Sequence, residues 1–317
     1  MKVGLNLVNF GPAADPETLG GWARLAERLG FHSLLTSDHI AVTPDVGERY
    51  PGPFYEPLGL LGWLAGVTER IAIGTTVIIV PYRNPLELAR SLANTDQLSG
   101  GRLIFGVGVG WARQEFAALG VPYHERGAMT DEYLDLILRH WTESTLTFTG
   151  RFVSCVDVDT SPPPRQTTVP LWVGGGSDAA IRRAVQFGTA WHPIRIRASS
   201  FAERSIPRLE SIADEMGRPR PELCPRILFH VTDDRVPDEG RFMGHGTLEQ
   251  IHSDLHRLQE LGCAHVILDA YSPFDDQPFR NIALDRTGDG PGGFRRVWED
   301  CQRLADVALD LANERVR

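Results

Sequence analysis

A chain of 317 residues, 42% apolar and 23% charged, has the composition of an ordinary soluble globular protein and a length suited to one α/β barrel with insertions. The formal charge of −9, from 32 basic and 41 acidic residues, argues against a nucleic-acid surface. No apolar leader and no run of about 18 apolar residues is present, which predicts a cytoplasmic protein with no signal peptide and no membrane partner.

In chain order, Val3–Val8 reads as a buried strand, and Asp15–Leu29 carries apolar residues at helical spacing. Ser33–Thr36 is a second short strand and Leu58–Val67 the next helix. Ile71–Val80 reads as one continuous buried strand, and Pro85–Leu98 as a helix. Leu103–Val109 is the fourth strand, followed by helical patterning around Glu115 and again over Asp131–Trp141. Leu171–Val173 is the fifth strand, with a helix after its glycines. Thr189–Ile194 is the sixth, followed by a helix over Ser199–Met216. Arg226–Val231 is the seventh, and Leu248, Ile251, Leu255, Leu258 and Leu261 then mark one helical face. His265–Asp269 is the eighth strand, and Gly293–Glu314 a closing helix.

Eight strand–helix units with near-continuous apolar strands predict a parallel sheet closed as a (β/α)8 TIM barrel, one domain over residues 1–317. A doubly wound open sheet is the runner-up. It usually carries a glycine fingerprint after its first strand, and Val8-Asn9-Phe10-Gly11 has no GxGxxG. Three segments exceed ordinary loops: 40–57, 142–169 and 270–292. The first and third follow strands, on the face where barrel active sites lie.

The residues at the ends of the strands are therefore the candidates for chemistry. Asp38 and His39 set a carboxylate and an imidazole side by side at a strand mouth, which suits proton handling or a loop cap. Gly74-Thr75-Thr76 could mark a bulge beside a ligand, or a plain strand rich in β-formers. Trp111, after Gly108-Val109-Gly110, and the Trp191-His192 pair could be core or pocket wall. The run Val173-Gly174-Gly175-Gly176-Ser177-Asp178 ends a strand and begins a helix at once. It is either a tight turn or an anion site, because glycines expose backbone N–H groups and a helix N-terminus carries partial positive charge.

Other patterns are weaker. His252 and His256 have a metal-ligand spacing but no HExxH context, and Asp275-Asp276 is a loop pair without a clear role. The four cysteines, Cys155, Cys224, Cys263 and Cys301, form no CxxC pair, so reduced thiols and no metal are expected. Lys2 is the only lysine, which all but excludes a Schiff-base aldolase.

Taken together, Thr36-Ser37-Asp38-His39, Gly74-Thr75-Thr76-Val77, Pro81-Tyr82-Arg83-Asn84-Pro85, Gly106–Trp111, Val173–Ser177 and Trp191-His192-Pro193 resemble the luciferase-like monooxygenase superfamily, most closely its coenzyme F420-dependent oxidoreductase branch. The resemblance implies a hydride transfer between the deazaflavin C5 and a small, fairly apolar organic substrate. It implies His39 as general acid or base, with Asp38 orienting it or bonding the cofactor. Thr76-Val77 matches a non-prolyl cis peptide behind the ring, Gly174, Gly175, Gly176 and Ser177 the phosphate turn, and Gln114 a polar contact at the cofactor edge. Tyr50, Tyr55, Trp111, Trp191 and His192 would shape the substrate pocket.

Two departures count against sugar-phosphate oxidation: an acid of the sugar-phosphate dehydrogenases is replaced by Trp111, and their Trp after the Asp-His pair is absent from Ile40-Ala41-Val42-Thr43. The alternative cofactor is FMN, in an FMNH2- and O2-dependent monooxygenase fed by a separate reductase. A non-catalytic cofactor-binding barrel is more remote. The acidic tail of F420 would want basic residues near the mouth, where Arg195 and Arg197 stand. Dimers are common among such proteins, so a homodimer is an expectation that no particular residue carries.

Overall fold

Strands in all eight expected regions lie side by side and pair in parallel, but of the expected Arg226–Val231 only Arg226–Leu228 joins this sheet, and His230–Val231 pairs instead with His245–Gly246. The computed structural model describes residues 1–271 and 294–316. The first strand, Lys2–Leu7, is flanked by the second, Ser33–Thr36, and by the eighth, His265–Asp269. The third, Ala72–Thr75, joins the second to the fourth, Leu103–Gly108, and Leu171–Gly174 and Ala190–His192 follow as fifth and sixth.

Closure comes through a broken seventh strand. Glu222–Leu223 pairs with the sixth strand and Arg226–Leu228 with the eighth. Pro225, which has no N–H to donate, separates the halves. Beyond it, the Arg226 N–H donates to the Pro193 carbonyl at 2.8 Å and a bridge joins Ile194 to Arg226. The barrel expectation holds, and the open sheet does not.

Alternation along the strands separates two cores. Leu34, Phe105 and Val173 pack outward with the helices. Their chain neighbours Leu35, Ile104 and Trp172 form an inner layer with Ala190, Cys224 and Ile267. This is the side-chain filling expected of a small barrel. The helices start where their caps require. Asp15 accepts the Thr18 N–H at 2.8 Å before Pro16–Leu29, and Asn84 accepts the Leu86 N–H at 2.9 Å before Pro85–Ser99.

Several expectations need correction. The third strand is interrupted at Thr76-Val77, a non-prolyl cis peptide, and resumes only at Ile78–Ile79. The 142–169 segment contains an antiparallel hairpin, Thr145–Thr149 with Ser154–Asp159; Leu146 and Phe148 face inward between exposed threonines. The helix placed at Asp131–Trp141 begins earlier, at Arg126, and runs to Thr142. The one placed at Ser199–Met216 contains a π-turn over Phe201–Ser205 before the α-helix Ile206–Glu215. Pro207 cannot donate the N–H that would continue a regular ladder there.

The closing helix stops at Ala308, and Leu309–Asp310 turns back to pair with Arg315–Val316. Asp275-Asp276 and most of the 270–292 loop lie outside the described residues. Among the described residues, no helix is long and apolar enough to cross a membrane, and no group of three or more potential ligands could hold a metal.

Candidate active site

At the C-terminal mouth of the barrel, the strand ends enclose a cavity of about 540 Å³. Asp38, His39, Tyr50, Thr76, Val77, Trp111, Gly174, Gly175, Ser177 and His192 line it, so ten of the residues singled out from sequence converge. Its size falls in the usual range for cofactor and ligand sites, about 300–1,000 Å³.

Four of the expected residues lie elsewhere. Tyr55 packs on the main core, its backbone tied to Asn9. Gln114 is exposed, and its N–H donates to Asp45. Trp191 sits behind the glycine turn, where its indole N–H donates to the Gly175 carbonyl at 2.8 Å, and Gly176 lies on that same far side, lining a neighbouring cavity.

The partner of His39 is Glu115, not Asp38. His39 Nδ1 stands 2.6 Å from Glu115 Oε2, and both side chains are buried. Glu115 also accepts the Tyr82 hydroxyl at 2.9 Å and the N–H groups of Ile40 and Ala41 at 2.7 and 3.0 Å. Four donors thus meet one carboxylate, so Nδ1 carries the imidazole proton and Nε2 is left for the cavity. Burial, and then the nearby Glu115 charge, push the Tyr82 phenol far up, which keeps it a donor. Sequence reading placed Glu115 only inside a helical pattern. Its spacing of 76 residues from His39 gave no local signal.

Asp38 does a different job. Its oxygens accept two N–H groups of Arg83, at 2.7 and 2.9 Å, and the Ile79 N–H at 2.7 Å. It therefore ties the second strand mouth to the chain just past Thr76-Val77. Burial by itself would lower the Arg83 pKa, but the bonds to Asp38 and Glu56 outweigh it and raise it.

Beneath Thr76 lies a second buried network. The Thr76 hydroxyl is 2.8 Å from His192 Nε2, and His192 Nδ1 meets the Cys224 carbonyl. A carbonyl only accepts, so Nδ1 bears the proton and Nε2 accepts from Thr76. Burial pulls the His192 pKa down to about 4, which keeps the ring neutral. Arg226 donates to the Thr76 carbonyl at 2.7 Å and to Asp269 at 2.5 and 2.8 Å.

The glycines of the fourth and fifth strands make room for this bulge. A Cβ on Gly106 would fall 1.9 Å from the Thr75 carbonyl, and one on Gly108 2.6 Å from Val77 Cγ2. The bare backbone at Gly108 therefore leaves the room that the Val77 side chain occupies.

At the opposite end, Ser177 caps the helix Asp178–Phe187, accepting the Ala180 N–H at 3.3 Å. Gly175 has φ +105°, and a Cβ there would come within 2.9 Å of Ala180 Cβ, so glycine is required by conformation and by space. Arg126 and Arg183 line this end. Arg126 Nε is buried without a hydrogen-bond partner and its guanidinium lies 3.9 Å from the Tyr123 ring centroid. Its Nη1 donates to the Tyr123 carbonyl at 2.8 Å, and a guanidinium with a donor to spare in the same cavity wall as a helix N-terminus is chemistry that favours an anion.

The third wall is aromatic. Tyr50 and Trp111 stand 5.0 and 5.8 Å from the His39 ring, and Phe54 stands 5.5 Å from it. Burial raises the Tyr50 pKa.

The chain belongs to the luciferase-like monooxygenase family, whose model matches residues 1–239. An uncharacterised protein of Mycobacterium tuberculosis is 32% identical over 182 residues, covering 53% of this chain and 64% of that protein. The chain thus spans just under two thirds of the length of that curated relative. An F420-dependent glucose-6-phosphate dehydrogenase of Kribbella flavida is 30% identical over 231 residues, covering 70% and 67%. The crystal structure of monooxygenase RslO1 from Streptomyces bottropensis superimposes with a TM-score of 0.76 at 21% identity, covering 96% of this chain and 98% of that one, a likeness of fold.

Proposed function

We propose that the protein is an F420-dependent oxidoreductase that transfers a hydride between the deazaflavin C5 and a small, fairly apolar organic substrate. The observation that carries this reading is the arrangement of one cavity, with an anion-suited end at Gly174, Gly175, Ser177 and Arg126 and a proton-handling end at His39, backed by Glu115. The F420-dependent dehydrogenase among the relatives supports the choice of cofactor.

The residues present fit such a group. The Gly175 backbone leaves no room for a Cβ, and the orphaned Arg126 Nε calls for an acceptor. Ser177, the first N–H groups of its helix and Arg126 would hold a phosphate, while Thr76, Val77 and Gly108 would back the ring. When bound, the deazaflavin supplies the hydride-transferring carbon. His39 holds or releases a proton at Nε2, and Glu115 fixes the tautomer that makes this nitrogen available. Asp38 and Arg83 hold the strand mouth in place from behind.

Tyr50 and Trp111 exclude water and favour an apolar substrate. No acidic side chain stands at position 111 to receive sugar hydroxyls.

Titrating the purified protein with F420 and, separately, with FMN, while following ring absorbance, tests the reading. Tighter binding of F420 is expected. Binding of FMN alone, with oxygen consumption when the flavin is supplied reduced, would replace it with the monooxygenase.

A further inference from the structure

Two tyrosines near His39 have committed hydroxyls. That of Tyr82 donates to Glu115 at 2.9 Å, and that of Tyr271 donates to the Arg49 carbonyl. Tyr50 is different. It lines the cavity beside His39, and among the described residues nothing donates to its hydroxyl or accepts from it.

The rest of Tyr50 is held on every side. Its ring meets Phe10 edge to face at 5.2 Å and stands 5.8 Å from Tyr271. Its N–H donates to the Val46 carbonyl at 2.7 Å, just after the short helix Pro44–Gly47, and Tyr271 anchors the backbone one residue before it. A ring clamped in this way has little rotamer freedom left to lose when a ligand arrives. Burial raises the pKa of the phenol, so at neutral pH it keeps its proton and stays a donor. His39 Nε2 is also left for the cavity, and the two rings, 5.0 Å apart and inclined by 39°, can bring both groups within reach of one atom.

We propose that the Tyr50 hydroxyl is a catalytic hydrogen-bond donor that, together with His39 Nε2, grips the oxygen of a carbonyl substrate or, in the reverse direction, of the corresponding alcohol. A carbonyl oxygen has two lone pairs, one for each group. A substrate without oxygen on its reacting carbon would leave the phenol unmet in an aromatic wall. This deepens the oxidoreductase reading and rests on it for the hydride. In reduction, the carbonyl carbon takes a hydride with its electron pair from the reduced deazaflavin. The π pair moves to oxygen, which takes the proton from His39 Nε2. In oxidation, the alcohol proton passes to Nε2 and the hydride leaves the carbon for the oxidised ring. Tyr50 keeps its own proton throughout and stabilises the negative charge that builds on the oxygen.

The test compares the wild-type protein with Tyr50→Phe, which keeps the ring and removes only the hydroxyl. Each is titrated with F420 and then, with F420 bound, with N-cyclohexylformamide, whose amide carbonyl resists hydride attack. Calorimetry gives the affinity, and isotope-edited infrared spectroscopy gives the carbonyl stretch of the bound formamide. Tyr50→Phe should bind F420 as the wild type does but hold the formamide about tenfold more weakly. Its bound carbonyl stretch should rise, because one hydrogen bond to the oxygen has gone. A tyrosine that only packed the wall would not move that stretch. A wild-type protein that does not bind the formamide, or a Tyr50→Phe protein with the same affinity and stretch, overturns the proposal and leaves the F420 reading intact. If F420 does not bind, that reading falls, and the proposal, which needs its hydride, falls with it.

Discussion

His39 Nδ1 and Glu115 Oε2 lie 2.6 Å apart, the imidazole lining the barrel-mouth cavity and the carboxylate fully enclosed behind it. Glu115 saturates its oxygens with four donors, so it cannot be exchanged for an amide without loss. Glu115→Gln should lower turnover on the order of 10²-fold and reshape the pH–rate profile, with cofactor affinity nearly unchanged. His39→Gln should do the same. A Glu115→Gln enzyme with wild-type turnover and an unmoved profile would show that the pair only packs the fold.

Arg83 makes the strongest test of the strand-mouth brace. Its two bonds to Asp38 neutralise a carboxylate that is itself buried. Arg83→Met keeps the packing volume but strands that carboxylate with the Ile79 N–H as its remaining partner. Breaking a buried pair from one side costs about 3–5 kcal/mol. Urea unfolding should report a loss of that order, and Arg83→Met/Asp38→Asn should recover part of it. No recovery in the double variant would mean that Asp38 is not what Arg83 serves.

Much of this site was legible because barrel chemistry collects at strand ends, and strand ends can be read from apolar runs. Asp38, His39, Thr76 and Gly175 were found that way. What could not be read was who bonds to whom. Asp38 and His39 are adjacent in sequence yet turn to different partners, Arg83 and Glu115, 45 and 76 residues away. Gln114 and Glu115 show the same limit. A short helix, Arg113–Ala118, exposes the first and buries the second, and its register cannot be set from six residues. The hairpin at Thr145–Asp159 was missed although Thr-Leu-Thr-Phe-Thr alternates cleanly, because the segment fell between barrel units.

Acid should destabilise the fold partly through His192. Its pKa lies near 4 in the folded chain and 6.5 when unfolded, a depressed value, so its contribution is full above about pH 6.5 and lost as pH falls toward 4. The difference corresponds to about 3 kcal/mol at neutral pH. His245, also lowered to about 4 by burial and Arg241, shares the same window. Denaturant unfolding at pH 7 and pH 5 should show a smaller drop for His192→Gln than for the wild-type chain. Equal drops would mean that His192 is not held neutral by its burial.

The glycine turn distinguishes bulk from charge. At Gly176 a Cβ would meet nothing within 4 Å, and its φ is not in the left-handed region. Gly176→Ala should therefore fold normally and bind cofactor within about twofold of wild type. Gly176→Asp is no worse for the backbone but sets a negative charge before the Asp178–Phe187 helix, where an anionic phosphate is proposed to bind. Its cofactor dissociation constant should rise about tenfold, and the penalty should fall with added salt. At Gly175 the prediction reverses. There φ is +105° and a Cβ would strike Ala180, so even Gly175→Ala should weaken both the turn and the binding. Equal affinity across all three variants would remove the phosphate from this turn.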